Sequence, residues 1–159
     1  MRAFRAILCA SVFAVCAPAQ DRWQELTDAG LRAFEKQRLA EAERHFKAAL
    51  QQADQPGLQD PRLPESCDNL AEVYRLQNKP KEAEKLLRRA LAIREARLGP
   101  NHLQVALNLD AVAGVLSAQK KHNQADPLYV RARQIRERAV ARHPETYVDG
   151  EAKPVRRQP

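Results

Sequence analysis

Four histidines, one mid-chain cysteine and scattered carboxylates are the side chains of this 159-residue sequence that could do chemistry. Cys67 would need a general base to act as a nucleophile, and spacing identifies no His or Asn partner for it. A small buried helix residue is the simpler reading of that thiol. His45, His102, His122 and His143 lack the HExxH spacing that sets two imidazoles on one helix face for a metal. Glu41 and His45 stand one helical turn apart, which is ordinarily a surface contact. The chain has no GxSxG elbow, no GxGxxG and no GxxxxGK, and its five glycines leave little material for a loop that cradles phosphate. The expectation is a non-enzymatic protein with no cofactor and no metal.

Binding is what remains, and the composition says which elements must present it. Charged residues make up 30% and the hydrophobic set 44%, the balance of a folded, soluble chain. Ala, Leu, Arg, Glu, Lys and Gln dominate while Val and Ile are sparse, so the elements are helices.

The first residues do not belong to that fold. Arg2 and Arg5 precede an apolar run from Ala6 to Val15, and Ala17-Pro18-Ala19 has the small-x-small form of a cleavage site. The run is about 10 residues long, half of the roughly 20 that a membrane span needs. Residues 1–19 are therefore expected to be a cleaved signal, making the mature protein periplasmic or secreted. Lipid modification of Cys16 is the competing reading, and bulky Val15 just before it counts against that. Cleavage would remove Cys9 and Cys16, leave Cys67 with no partner for an internal disulfide, and lower the formal charge from +7 to +5.

The rest of the chain repeats itself. Ala83, Leu87, Ala90 and Ile93 recur 42 residues later as Ala125, Tyr129, Ala132 and Ile135. Leu70, Ala71 and Tyr74 recur at the same step as Val112, Ala113 and Leu116, and a step of 41 relates Gly30, Ala42, Phe46 and Ala49 to Ala71, Ala83, Leu87 and Ala90. Within each unit the apolar residues fall at helical spacing in two runs. Pro64 and Pro80 suit first turns, where a missing N–H costs nothing, and Gly99 suits a helix end. Small residues at Gly30, Ala71 and Ala113, facing Ala42, Ala83 and Ala125, let two antiparallel helices approach closely. Phe46, Leu87 and Tyr129 are expected to fill the space toward the next unit. One helix pair cannot bury its own apolar face, so the units must stack.

This pattern of small, large and small positions resembles the tetratricopeptide repeat. The longer step and the connector Leu98-Gly99-Pro100-Asn101-His102 are similar to the kinesin-light-chain-like 42-residue subtype, with Leu103 where proline is usual. The resemblance covers about residues 21–146. It implies an all-α, right-handed α-solenoid of about three helix-turn-helix repeats, with units near 21–54, 64–97 and 103–142. It further implies a concave groove, lined by the first helix of each unit, that holds a peptide or a protein surface. Carried onto this chain, the groove positions are Thr27, Asp28 and Leu31, then Glu65, Asp68, Asn69, Glu72 and Arg75, then Asp110, Gly114 and Ser117. That face reads as acidic, so the expected partner is a protein or extended peptide of basic character.

The positive charge lies on the second helices, at Lys81, Lys85, Arg88, Arg89, Arg94 and Arg97 and again at Lys120, Lys121, Arg131, Arg133, Arg136, Arg138 and Arg142. These positions read either as a solvated surface laced with pairs such as Glu84–Arg88 or as a basic convex face that touches an anionic envelope surface. The alternative function is accordingly a self-associating structural protein of the envelope. Nucleic acid is not an expected partner, because no stacking aromatics accompany the basic helices. Residues 143–159, with Pro144, Gly150 and Pro154, are expected to form a disordered basic tail beyond a last helix that serves as its own cap. If the signal is cleaved, mass spectrometry of the protein from its native host finds an N-terminus near Gln20; a mature chain that keeps Met1 in the cytoplasm rules it out.

Overall fold

The computed structural model describes residues 19–55, 60–142, 147–148 and 151–152, so the expected signal, apart from Ala19, lies outside the described residues. Six helices follow in order: α1 (Ala19–Glu35), α2 (Leu39–Ala53), α3 (Leu63–Leu76), α4 (Pro80–Leu98), α5 (Leu103–Ala118) and α6 (His122–Arg142). They pack as three pairs, α1 with α2, α3 with α4 and α5 with α6, and the pairs stack through α2 on α3 and α4 on α5. The chain is an all-α repeat solenoid. Among the described residues no helix is long and apolar enough to cross a membrane.

The hairpin inside each pair is built the same way three times. Gln37, Asn78 and Lys120 take positive φ of 58, 59 and 63° between the two helices. The next residue in each case, Arg38, Lys79 and Lys121, donates its N–H back to the carbonyl of Ala33, Tyr74 and Leu116 at 2.9, 2.8 and 2.9 Å. This closure satisfies carbonyls that the helix end leaves bare. It uses a left-handed residue with a side chain each time, at some conformational cost. The longer connector between pairs ends α4 at Gly99, with φ of 84°, and starts α5 under His102, whose Nδ1 accepts from the Gln104 N–H at 3.2 Å.

Close approach within the pairs is sharpest in the first. A Cβ built on Gly30 would lie 2.5 Å from the Phe46 ring, and that ring is 2% exposed. Ala42, Ala83 and Ala125, the facing small residues of the second helices, are fully buried. Phe46 then packs with Leu70 and Val73 of the following pair, and Leu87 with Val112, Val115 and Leu116. Tyr129 departs from this expectation. It is 40% exposed, because among the described residues no helix packs on that side of α6 as α3 and α5 pack on α2 and α4.

A polar clasp brackets each apolar joint and also recurs with the repeat. The Gln77 carboxamide donates to Glu43 at 2.8 Å, and 42 residues on, Gln119 donates to Glu84 at 2.8 Å. Lys79 stands 3.6 Å from Glu43, and Lys121 3.2 Å from Glu84. At the other end of the joints, Arg89 pairs with Asp54 and Arg131 with Glu95. The first joint has an extra tie, since the Trp23 indole donates to the Ser66 hydroxyl at 2.8 Å while the Arg62 guanidinium lies 5.2 Å from the same ring. Arg62 is itself fixed to Asp60 by a two-pronged ion pair. Asp60 and Arg62 follow residues 56–59, which lie outside the described residues. In the tail, Tyr147–Val148 pairs antiparallel with Glu151–Ala152, and the remaining residues expected to be disordered lie outside the described ones.

Two glycines separate packing from propensity. Gly30→Ala gains the ordinary helix preference of about 0.5–1 kcal/mol but forces a buried ring aside at about 1–3 kcal/mol, so thermal unfolding should shift downward. Gly114→Ala meets only the Tyr129 hydroxyl at 3.7 Å and should shift unfolding upward.

The clasps also set an acid limit. The Lys47 ammonium, then the Gln77 carboxamide, hold the Glu43 carboxyl below the usual carboxylate range. Burial pushes the Glu84 carboxyl up, but hydrogen bonds from Arg88, Gln119 and Lys121 outweigh it, so it too lies below that range. A carboxylate depressed by folding stabilises the fold above its unfolded value of roughly 4 and loses that contribution as pH falls through the folded value. Melting temperature should therefore drop below about pH 4, and Glu84→Gln should flatten that acid limb in a pH series of thermal melts. An acid limb as steep in Glu84→Gln as in the parent counts against the clasp.

Candidate binding groove

α3 and α5, the first helices of the second and third pairs, lie on either side of a cavity of about 620 Å³ whose floor includes Leu87 of α4. Helical spacing explains the lining: Asp68, Glu72 and Arg75 recur at three and four residues on α3, as Gln104, Leu107, Ala111 and Gly114 do on α5. Alanine and glycine on the α5 side leave room, and Leu107 stands into it with 65% of its surface exposed.

The electrostatics differ from the sequence expectation. Arg94, expected on the outer basic face, lines the cavity instead and pairs with Asp68 at 2.6 Å. Asn108 completes a network by donating to Asp68 at 3.1 Å and accepting from Arg94. Glu72 is held by Arg75 through two contacts of 2.6 and 2.8 Å. The lining therefore carries two carboxylates and two guanidinium groups, and this part of the face read as acidic is neutral. Arg136 is likewise drawn from the outer face onto Asp110. The basic face is correspondingly thinned, with Arg88, Arg89, Arg131 and Lys121 also in ion pairs.

Of the eleven groove candidates, Asp68, Asn69, Glu72, Arg75 and Gly114 come together at this cavity. Glu65 lies beside it, in a smaller cavity of about 220 Å³ shared with Arg94 and Gln104. Asp110 is on α5 but outside the lining, tied to α6 through Arg136. Asp28 and Leu31 are on α1, also outside it; Asp28 accepts from Gln24 at 2.9 Å and Leu31 is 42% exposed. Sequence reasoning missed Arg94, Gln104, Leu107 and Asn108. A signal for two of them was present: Leu107 is the 42-residue counterpart of Glu65, and Arg94 follows Asp68 by the same 26 residues that separate Arg136 from Asp110.

Cys67 is fully buried, and that burial pushes its thiol up to about 11, so it stays protonated and unreactive at neutral pH. His45 only approaches Glu41, at 4.0 Å, and His102 is used as a helix cap. Among the described residues no group of three His, Cys, Asp or Glu side chains could hold a metal ion.

The tetratricopeptide repeat profile matches residues 27–96 and 65–138, overlapping spans that cover most of the chain. The chain belongs to the tetratricopeptide repeat family. Among solved structures it is similar to the N-terminal domain of stress-induced protein-1 (STI-1) from C. elegans, with a TM-score of 0.61 and 17% identity over 74% of this chain and 87% of that one. At that identity the likeness shows the fold. No curated protein matches. Tetratricopeptide repeat domains are in general scaffolds for protein–protein interaction, and the groove just described is built of the elements such a scaffold offers.

Proposed function

We propose that this tetratricopeptide repeat protein is an exported, non-enzymatic scaffold that holds an extended segment of another protein between α3 and α5. The observation that carries the reading is a cavity of about 620 Å³ combining an exposed Leu107 with polar groups already locked by one another. Asp68, Arg94 and Asn108 form one fixed network, so an incoming chain meets a wall that does not need reordering. The neutral lining favours an uncharged segment with an apolar side chain over a strongly basic one. Export rests on residues 1–19, and the kinesin-light-chain-like subtype on the 42-residue step; both are part of the proposal.

Burying a leucine against a ligand is worth about 1.5–3 kcal/mol, or roughly tenfold or more in affinity. Extended peptides recovered from a random library on the intact protein should therefore bind Leu107→Ala at least about tenfold more weakly and respond little to added salt. Leu107 is exposed, so the variant should keep the parent's melting temperature. Peptides that bind the variant equally well, or whose affinity collapses with salt, would show that this cavity is not the neutral binding surface proposed.

A further inference from the structure

The two internal joints use the same set of residues on the second helix of the leading pair. On α2 and its C-cap the set is Glu43, Phe46 and Asp54, and in α4 it is Glu84, Leu87 and Glu95. One further step of 42 residues puts Asp126, Tyr129 and Glu137 at those positions of α6. All three are exposed, and Tyr129 is the one large core-type residue of the series left at 40% exposure. The last pair thus presents the leading half of a joint whose following half would begin where the repeat register runs into Gly150 and Pro154, residues unsuited to a helix interior.

The opposite end of the solenoid carries a matching surface. Stepping back 41 residues from Gln77 and Lys79, the donors of the internal clasp, reaches Lys36 and Arg38. Both are exposed and cationic, suited to the Asp126 carboxylate. The positions of Leu70, Val73 and Tyr74, which cover Phe46, are held on α1 by Ala29, Arg32 and Ala33. Ala33 is buried against Phe46 within its own joint, so the half-buried Ala29 is the residue that offers the Tyr129 ring space at this end. The exposed Arg32 guanidinium can lie over the ring, as Lys47 and Lys79 lie 5.8 and 5.4 Å from the Tyr74 ring. The apolar position of Leu50 and Leu91 is Arg133 on α6, so the contact is weaker than the internal joints.

We infer that Asp126 and Tyr129 on α6 receive Arg32, Lys36 and Arg38 of a second copy of this chain, head to tail, continuing the solenoid across molecules. Glu137 takes no part, because the register sets Ala48 opposite it and Arg133 of its own helix lies 3.4 Å away. The contact is heterologous and does not close on itself, so assembly is open-ended and depends on concentration. It is independent of the groove reading, because none of these side chains lines the cavity.

Sedimentation velocity on the intact protein at rising concentration tests it. The weight-average mass should rise with concentration and fall with added salt, since the charge pairs are screened within roughly 8 Å at physiological ionic strength. Asp126→Lys alone, and Lys36→Glu with Arg38→Glu, should each abolish association while keeping the parent's helical circular dichroism. Mixing the two variants should restore it, because each then supplies the face that the other lacks. A monomer at every concentration, association indifferent to these substitutions, or no recovery on mixing overturns the inference. So does association that appears only after residues 143–159 are deleted, which would make the protein's own tail the occupant of the α6 face.

Discussion

A large side chain on each second helix has no place to go inside its own hairpin, and the rest of the architecture follows from that. Phe46 is accommodated on one side only because Gly30 has no Cβ, and on the other only because α3 closes over it. Leu87 repeats the arrangement against α5. Burying such a side chain is worth about 1.5–3 kcal/mol, whereas an exposed ion pair contributes about 0–1 kcal/mol. Apolar closure between neighbours therefore supplies the stability, and each pair is stable because the next one is there.

The polar residues around the joints do a different job. Gln77 and Gln119 reach across to Glu43 and Glu84 with nearly the same geometry, one repeat apart. A slip of one residue along the facing helices would leave these partly buried carboxylates without partners, a larger penalty than the bonds gain when made. The clasps thus fix how far each pair is turned on the last, and that turn decides which side chains of α3 and α5 face a common space. The cavity is a product of the joints rather than of its lining residues alone.

Most of the fold was legible because it repeats. Ala83 over Ala125 and Phe46 over Leu87 are visible at fixed steps in one sequence, and the proline and glycine positions bound the helices. The groove was legible only in part. Asp68, Asn69, Glu72 and Arg75 share one helix face, which spacing alone reveals. Arg94 was assigned to the outer surface because a long side chain on a second helix was judged by its own element. Its guanidinium in fact crosses to the first helices of two pairs, where Asp68 of α3 and Asn108 of α5 hold it. Charge counted helix by helix thus made one face acidic and another basic, while charge counted by contact makes the groove neutral. Tyr129 misled for the opposite reason: its repeat position is right, but a position says nothing about whether another helix packs over it.

The first pair shows what the network of the second contributes. The 41-residue counterparts of Asp68 and Arg94 are Thr27 and Ala53, both buried, and the Thr27 hydroxyl finds no hydrogen-bond partner. Where the ion pair is present, Asp68 and Arg94 stay partly open to solvent and hold polar atoms at the edge of the cavity. Where it is replaced by threonine and alanine, the same place in the repeat closes up. The pair thus keeps polar groups at a surface that an apolar pair would seal, and desolvating them costs about as much as their mutual attraction returns. Such a network adds little to folding stability, so its consequence lies in the surface it shapes. The second and third pairs are where the solenoid keeps polar groups open to solvent beside an exposed leucine.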